Sequence, residues 1–427
     1  MSRNISEEQW FKLDNAAKIF PANTGLRDTK VIRFTCKMRD AVDGEILKKA
    51  VDLALEGFPH YRSVLKKGLF WYYFQESDIP PVVEEEQILP YTTLYDGGNR
   101  QNLLFRVTYF NRRINLEVYH AISDGTGVME FFKALLYYYV RDKYADEVPE
   151  DFVPSANASI AQKMDDSYKH YYVSEKNKIT IPESNRAYKI KGLKMPEYRL
   201  RITELTMPVD KLLALSKENK TTLTVFLAAL MTVCINEARP KGQVRPIMLS
   251  IPVNLRKFFP SESARNFFAV FSIKYKFKKT ECYSEELIKN VIESYNTQFK
   301  ENLTQENMES TIYKMLALEN NKFIKAVPLF IKNPVMKHFG SNNEKQITAA
   351  FSNIGIIKLD EPLTRYVDNF VVSAATNKLQ VTLTTYNGKL TVTLTSPFVS
   401  TDIEMEFARK LSDLGIDVTV TSNNINE

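Results

Sequence analysis

The chain is poor in the residues that build covalent or metal-held frameworks, with 3 cysteines, 4 histidines and 2 tryptophans among 427 residues. Cys36, Cys234 and Cys282 are scattered, odd in number and never in CxxC spacing, which excludes a disulfide framework and a cysteine zinc site. That usage fits a reducing, cytoplasmic setting. His60, His170 and His338 have no ligand-type residues at suitable spacing, so no metal is expected. An uninterrupted apolar leader is missing too: Glu7, Glu8, Lys12, Asp14 and Lys18 break up the opening stretch, against a secretion signal. The longest apolar run, LTVFLAALMTVCI from Leu223 to Ile235, falls short of the roughly 18 residues a membrane span needs and reads as a buried core helix. No solenoid-period repeat or low-complexity tract occurs. Charge of one sign is also scarce: 57 basic against 51 acidic residues leave a net +6, far from a nucleic-acid binder.

What is present is core material. Hydrophobic residues make up 44% of the chain and aromatics 12%, enough for a large α+β unit with deep apolar packing. Period-two runs predict strands at 29–38, 68–77, 103–110 and 114–120, the last two forming a hairpin. Helical spacing predicts helices at 44–59 and 128–144. From about Val148 to Arg201 periodicity is lost and prolines accumulate, as in a long crossover. The lobe boundary is placed there, giving residues 1–185 and 186–427. Lys189, Lys191, Lys194, Arg199 and Arg201 in this stretch read as a solvated face. The second half predicts helices at 209–219 and 222–238, strands at 245–255 and 267–277, helices over most of 283–340, then strands at 346–355, 367–377, 378–388 and 389–398 and a helix at 401–415. Asn387-Gly388 is the strongest hairpin turn in the chain.

One stretch concentrates chemistry: YHAISDGTG at 119–127. In the strand before it, Ile114, Leu116, Val118 and His120 share one parity, aiming the histidine toward the core. Gly125 and Gly127 are read as turn residues that allow unusual backbone angles. A neutral histidine at a core edge suits general-base work, since its ordinary pKa of about 6.5 lies near working pH. By spacing alone, His120 and Asp124 allow a catalytic pair, a metal site or a plain polar turn. Asp124 could touch the histidine, or turn away and pair with an arginine.

H-x-x-x-D-G at a strand end, in a chain of this length split into halves, resembles the acyltransferase superfamily of chloramphenicol acetyltransferase, plant BAHD enzymes, alcohol acetyltransferases and nonribosomal peptide condensation domains. Its His120, Asp124 and Gly125 match the motif. Tyr119 stands where condensation domains usually carry a second histidine, which favours the single-histidine enzymes, and stand-alone bacterial alcohol acetyltransferase-like proteins in particular. PVNLRKFFPSESARNFF (252–268) is similar to the family's strand, arginine and Asn-Phe pair through Arg256, Asn266 and Phe267. FSNIG (351–355) stands at the second glycine signature, with Ser352 and Asn353 in place of the acidic and aromatic residues.

The resemblance implies two similar lobes, each a mixed sheet with flanking helices, meeting at a central tunnel. It implies acyl transfer from a CoA thioester to the hydroxyl or amine of a small acceptor, with His120 as general base. Asp124 would brace the loop through Arg256, with Asn266 as further support, and Ser352 or Asn353 would help the Gly125 region hold an oxyanion. The aromatic run from Phe131 to Tyr139 reads as core behind the motif. No cofactor beyond the thioester co-substrate, acyl-CoA or a phosphopantetheinyl arm, is implied, and a monomer is expected. The alternatives are a condensation-type enzyme charged by an acyl carrier protein, and an inactive scaffold that keeps the fold.

Overall fold

The computed structural model describes residues 10–97, 102–149, 152, 158–172, 186–278, 281 and 284–423. The chain is built as two α/β lobes, each with its own core cluster. In the first, a five-stranded sheet runs in the spatial order Val367–Ala374, Val31–Met38, Arg113–Tyr119, Phe105–Phe110 and Val83–Glu85. The predicted hairpin is its centre: Tyr109 faces Ile114 and Phe105 faces Val118, with Asn111 at φ 50° in the turn. Helices Gly44–Glu56 and Gly125–Lys143 pack together over the sheet. The first is set by Asp43, whose carboxylate accepts the amides of Glu45 and Ile46.

Strand parity was too simple a guide here. Asn115, Glu117 and Tyr119, on the face opposite the apolar one, are buried as well. That face is covered by the segment around Tyr91, whose amide donates to Glu117 Oε1 at 2.8 Å and whose hydroxyl donates to Ser373 at 2.6 Å. Arg33 and Arg106 both pair with Glu117, and Thr35 donates to Asn115 at 2.9 Å, so the polar residues are satisfied without solvent.

The second lobe holds a seven-stranded sheet in the order Phe268–Tyr275, Ile247–Asn254, Ala349–Ile356, Leu379–Tyr386, Lys389–Ser396, Arg201–Pro208 and Thr419–Ser422. It is mixed, because Ala349–Ile356 runs parallel to both neighbours. Helix Leu223–Ala238 is buried at every position from Val225 to Ile235, as an evenly apolar run requires. No single helix among the described residues is long and apolar enough to cross a membrane. Asn387 and Gly388 make the expected hairpin turn with φ of 46° and 73°.

The predicted strand 68–77 is instead a hairpin, Ser63–Lys67 and Tyr72–Glu76, closed where Gly68 donates to the Trp71 carbonyl. Arg201–Pro208, which follows the expected crossover and carries no predicted element, is a strand between two partners. The expected boundary after residue 185 closes a stretch, 173–185, that lies outside the described residues, as does Cys282. The halves of the sequence are not cleanly separate, since Val367–Ala374 pairs with Val31–Met38 in the first lobe's sheet.

Candidate active site

The HAISDG segment lies where strand Arg113–Tyr119 gives way to helix Gly125–Lys143. The His120 amide donates to the Lys30 carbonyl at 2.8 Å, and Ile122 donates back to Tyr119 at 3.0 Å, which tightens the turn. Asp124 is the N-cap: its Oδ1 accepts the amides of Thr126 at 3.1 Å and Gly127 at 3.0 Å. The helix therefore begins at Gly125, earlier than its apolar periodicity indicated, and neither glycine has a left-handed φ. The turn-angle reason for them is overturned by the space around them. A Cβ on Gly127 would lie 1.9 Å from the Ala264 carbonyl oxygen and 2.3 Å from Ser123 Oγ; on Gly125 it would meet Ile354 Cδ1 at 3.3 Å and Phe34 Cζ at 3.9 Å. Residues 264 and 354 come from the second half of the chain, so the glycines permit close approach across the seam.

Asp124 does turn away from the histidine and toward Arg256. Its Oδ2 accepts Arg256 Nη1 at 2.7 Å and the Phe267 amide at 2.7 Å, deep in the structure. Arg256 also donates to the carbonyls of Ser263 at 2.8 Å and Arg265 at 2.7 Å. Nearby, Asn254 Nδ2 donates to Thr126 Oγ1 at 3.0 Å. One carboxylate thus closes the helix cap in the first lobe and fastens the 254–267 loop of the second.

His120 itself is half-buried and sandwiched. The Phe20 ring stacks on it at 4.6 Å and 26°, and Phe268 lies 5.5 Å away on a tilted plane. Its Nδ1 lies 3.3 Å from Asn266 Oδ1. The Asn266 amide is oriented by its other end, where Nδ2 donates to Asp14 Oδ2 at 3.1 Å and the Ala121 carbonyl at 3.2 Å. An oxygen facing Nδ1 assigns the ring proton to Nδ1 and makes Nε2 the proton acceptor. Burial pulls the His120 pKa below its ordinary value, against opposing hydrogen bonds and the Asp124 charge, so the neutral base is the form present at neutral pH.

Asp14, which sequence reasoning did not single out, completes this chain of contacts. It is fully buried, accepts the Ala17 amide at 2.8 Å and lies 3.7 Å from Arg265. Burial lifts its pKa from 3.8 to about 6 despite that arginine. Phe20 and Phe268 were likewise missed; only the three-dimensional path of the N-terminal segment brings Asp14 and Phe20 beside the motif.

Ser352 and Asn353 end up differently. Asn353 makes a strand bulge, accepting the Gly355 amide at 2.8 Å while its Nδ2 donates to Thr224 Oγ1 at 2.8 Å. Both ends of the amide are engaged away from His120. Ser352 sits in the strand opposite Thr382. The strand nonetheless reaches the motif, through Ile354 beside Gly125.

The two mixed-sheet lobes, joined at a seam holding a histidine and a cross-lobe Asp–Arg pair, define a chloramphenicol acetyltransferase-like protein, in the superfamily that includes BAHD enzymes and condensation domains. The family model described as "Transferase family" matches residues 74–333, and the chain belongs to that family. No curated protein sequence matches it. Among solved structures, it is similar to polyketide synthase associated protein 5 from Mycobacterium tuberculosis, with 14% identity, a TM-score of 0.61 and coverage of 94% of this chain and 96% of that one. It is similar to F. graminearum TRI101 complexed with coenzyme A and T-2 mycotoxin, with 11% identity, a TM-score of 0.61 and coverage of 96% and 99%. It is also similar to the first condensation domain of the calcium-dependent antibiotic synthetase, with 13% identity, a TM-score of 0.58 and coverage of 96% and 97%.

Proposed function

We propose that the protein transfers an acyl group from a CoA thioester to the hydroxyl or amine of a small acceptor, with His120 as general base. The observation that supports it most is a half-buried, aromatic-sandwiched histidine at the seam between lobes, with Asn266 Oδ1 3.3 Å from its Nδ1. Nε2 removes the acceptor's proton as its oxygen or nitrogen forms a bond to the thioester carbonyl carbon. When the tetrahedral intermediate collapses, the C–S bond breaks and the same proton passes to the leaving thiolate. The oxyanion needs donors set in advance, each worth roughly 3 kcal/mol. The Gly125 amide at the helix start and Ser352 are our assignments, while Asn353 would first have to release Thr224.

The neighbour crystallised with coenzyme A supports a CoA donor; in our reading the donor enters along the seam and the acceptor reaches His120 from the opposite side. The condensation-domain neighbour supports a second donor, the same thioester on an acyl carrier protein. A cytoplasmic monomer without a permanently bound cofactor belongs to this reading. The test is a mass-spectrometric panel of acyl-CoA and acyl-carrier donors against pooled alcohols and amines, run with wild type and His120→Ala. Product from the wild type alone supports the mechanism. Product that survives His120→Ala removes the histidine from it, and no product with any donor favours a binding scaffold.

A further inference from the structure

Helix Leu329–Glu344 is packed on one side only. Leu329 and Met336 join the first lobe's core, whereas Ile331, Val335 and Phe339, at successive four-residue steps, are 48%, 50% and 62% exposed. Phe330 at 66%, nine residues from Phe339 and so on the opposite flank of the helix, and Phe323 at 86% on the short helix Lys322–Ala326 are further exposed apolar side chains. The far edge of this apolar surface is Leu69, 67% exposed in a hairpin turn that the Leu329 amide holds through the Leu69 carbonyl at 2.7 Å.

Along this segment the charge has one sign. Between Glu319 and Glu344 there is no acidic residue, and lysines stand at 322, 325, 332 and 337. Lys332 turns inward, donating to the Phe70 carbonyl at 3.0 Å over the Trp71 ring, but Lys325 and Lys337 are exposed beside the phenylalanines.

The geometry points to this face as a docking surface for an anionic lipid bilayer. Protruding phenylalanines beside lysines match the two layers of a membrane interface, acyl chains below and phosphate headgroups above. A second copy of the chain fits worse, because a two-fold contact burying this segment would enclose Lys325 and Lys337 of both copies without an acidic partner from the segment itself. The opposite side of the helix packs against Phe20–Asn23, with Gly340 against Asn23, and Phe20 stacks on His120. Docking would set the bilayer beside the seam, although it does not depend on the acyl-transfer reading.

The test is flotation of the full chain with vesicles of phosphatidylcholine and of phosphatidylcholine mixed equally with phosphatidylglycerol. Binding should favour the anionic vesicles and fall as salt rises. The double variant Phe330→Ser/Phe339→Ser, checked for an unchanged melting temperature, should lose about tenfold or more in partitioning. Lys325→Ser/Lys337→Ser should lose the preference for the anionic lipid. Failure to float with either vesicle, or flotation unchanged in both variants, would overturn the proposal. So would a concentration-dependent dimer by light scattering that Phe330→Ser/Phe339→Ser abolishes, which would assign the face to self-association.

Discussion

Asn266 Oδ1 faces His120 Nδ1 at 3.3 Å while the Asn266 amide nitrogen donates to Asp14 and Ala121. The contact selects a tautomer, and its loss should be read in turnover before binding. Asn266→Ala is expected to lower kcat roughly 10- to 100-fold, below the full 10²–10⁴ contribution of a general base, because the ring remains but its proton is no longer directed to Nδ1. KM should change little. Steady-state kinetics with whichever donor is active checks this, and a variant altered only in KM would place Asn266 in substrate binding instead.

Asp124→Asn tests the bracket between lobes. The variant keeps an oxygen for the Thr126 and Gly127 amides, but its nitrogen would face the Arg256 guanidinium and the Phe267 amide, leaving a buried arginine without its counter-charge. Breaking a buried pair from one side costs about 3–5 kcal/mol. We therefore expect a large fall in melting temperature or soluble yield along with the rate. Full stability with a lost rate would contradict the bracing role.

How much of this was visible in the linear chain depended on the range of the interaction. The helix over 128–144, though not its start at Gly125 or its cap, the Asn387-Gly388 turn and the core helix from Leu223 announce themselves because their causes lie within a few residues. Arg256 was identifiable through likeness to a family whose loop it fastens. Asp14 was not, because its importance comes from burial against Asn266 and Arg265, some 250 positions away. Arg201–Pro208 escaped notice because Ile202 and Thr203 are out of phase with the short alternation of Glu204, Leu205, Thr206 and Met207, which acquires meaning only between Lys389–Ser396 and Thr419–Ser422. The glycine two residues after the motif's own illustrates a subtler miss: Gly127 is required for space, and space is a property of the assembled seam.

Asp14 should make stability depend on pH. Its folded pKa of about 6 lies above the ordinary 3.8, so the contribution favours the folded state fully below the unfolded value and is lost as pH rises through about 6. The charged groups facing it are Arg265, which lowers the pKa, and Asp166, which raises it. A shift of this size corresponds to roughly 3 kcal/mol. Denaturant melts of wild type and Asp14→Asn between about pH 4 and 7 should show this decline in the wild type and a flatter profile in the variant. Parallel profiles would mean that Asp14 does not titrate in this range.

The two glycines of the motif should respond unequally to a methyl group. In Gly127→Ala the new carbon would overlap the Ala264 carbonyl, a backbone atom on the loop that Arg256 holds, so neither side can yield without separating the lobes. We expect a loss at or above the usual 1–3 kcal/mol of an overpacked site, and a melting temperature lower by many degrees. Gly125→Ala meets the tip of Ile354, a side chain that can rotate away, and Phe34 Cζ at an ordinary contact distance of 3.9 Å. Its stability should stay within about 1 kcal/mol of the wild type. Any large drop in activity in that stable variant would then report on the space beside the Gly125 amide, where the oxyanion is assigned. Equal destabilisation by the two substitutions would show that packing against Ala264 is not what requires Gly127.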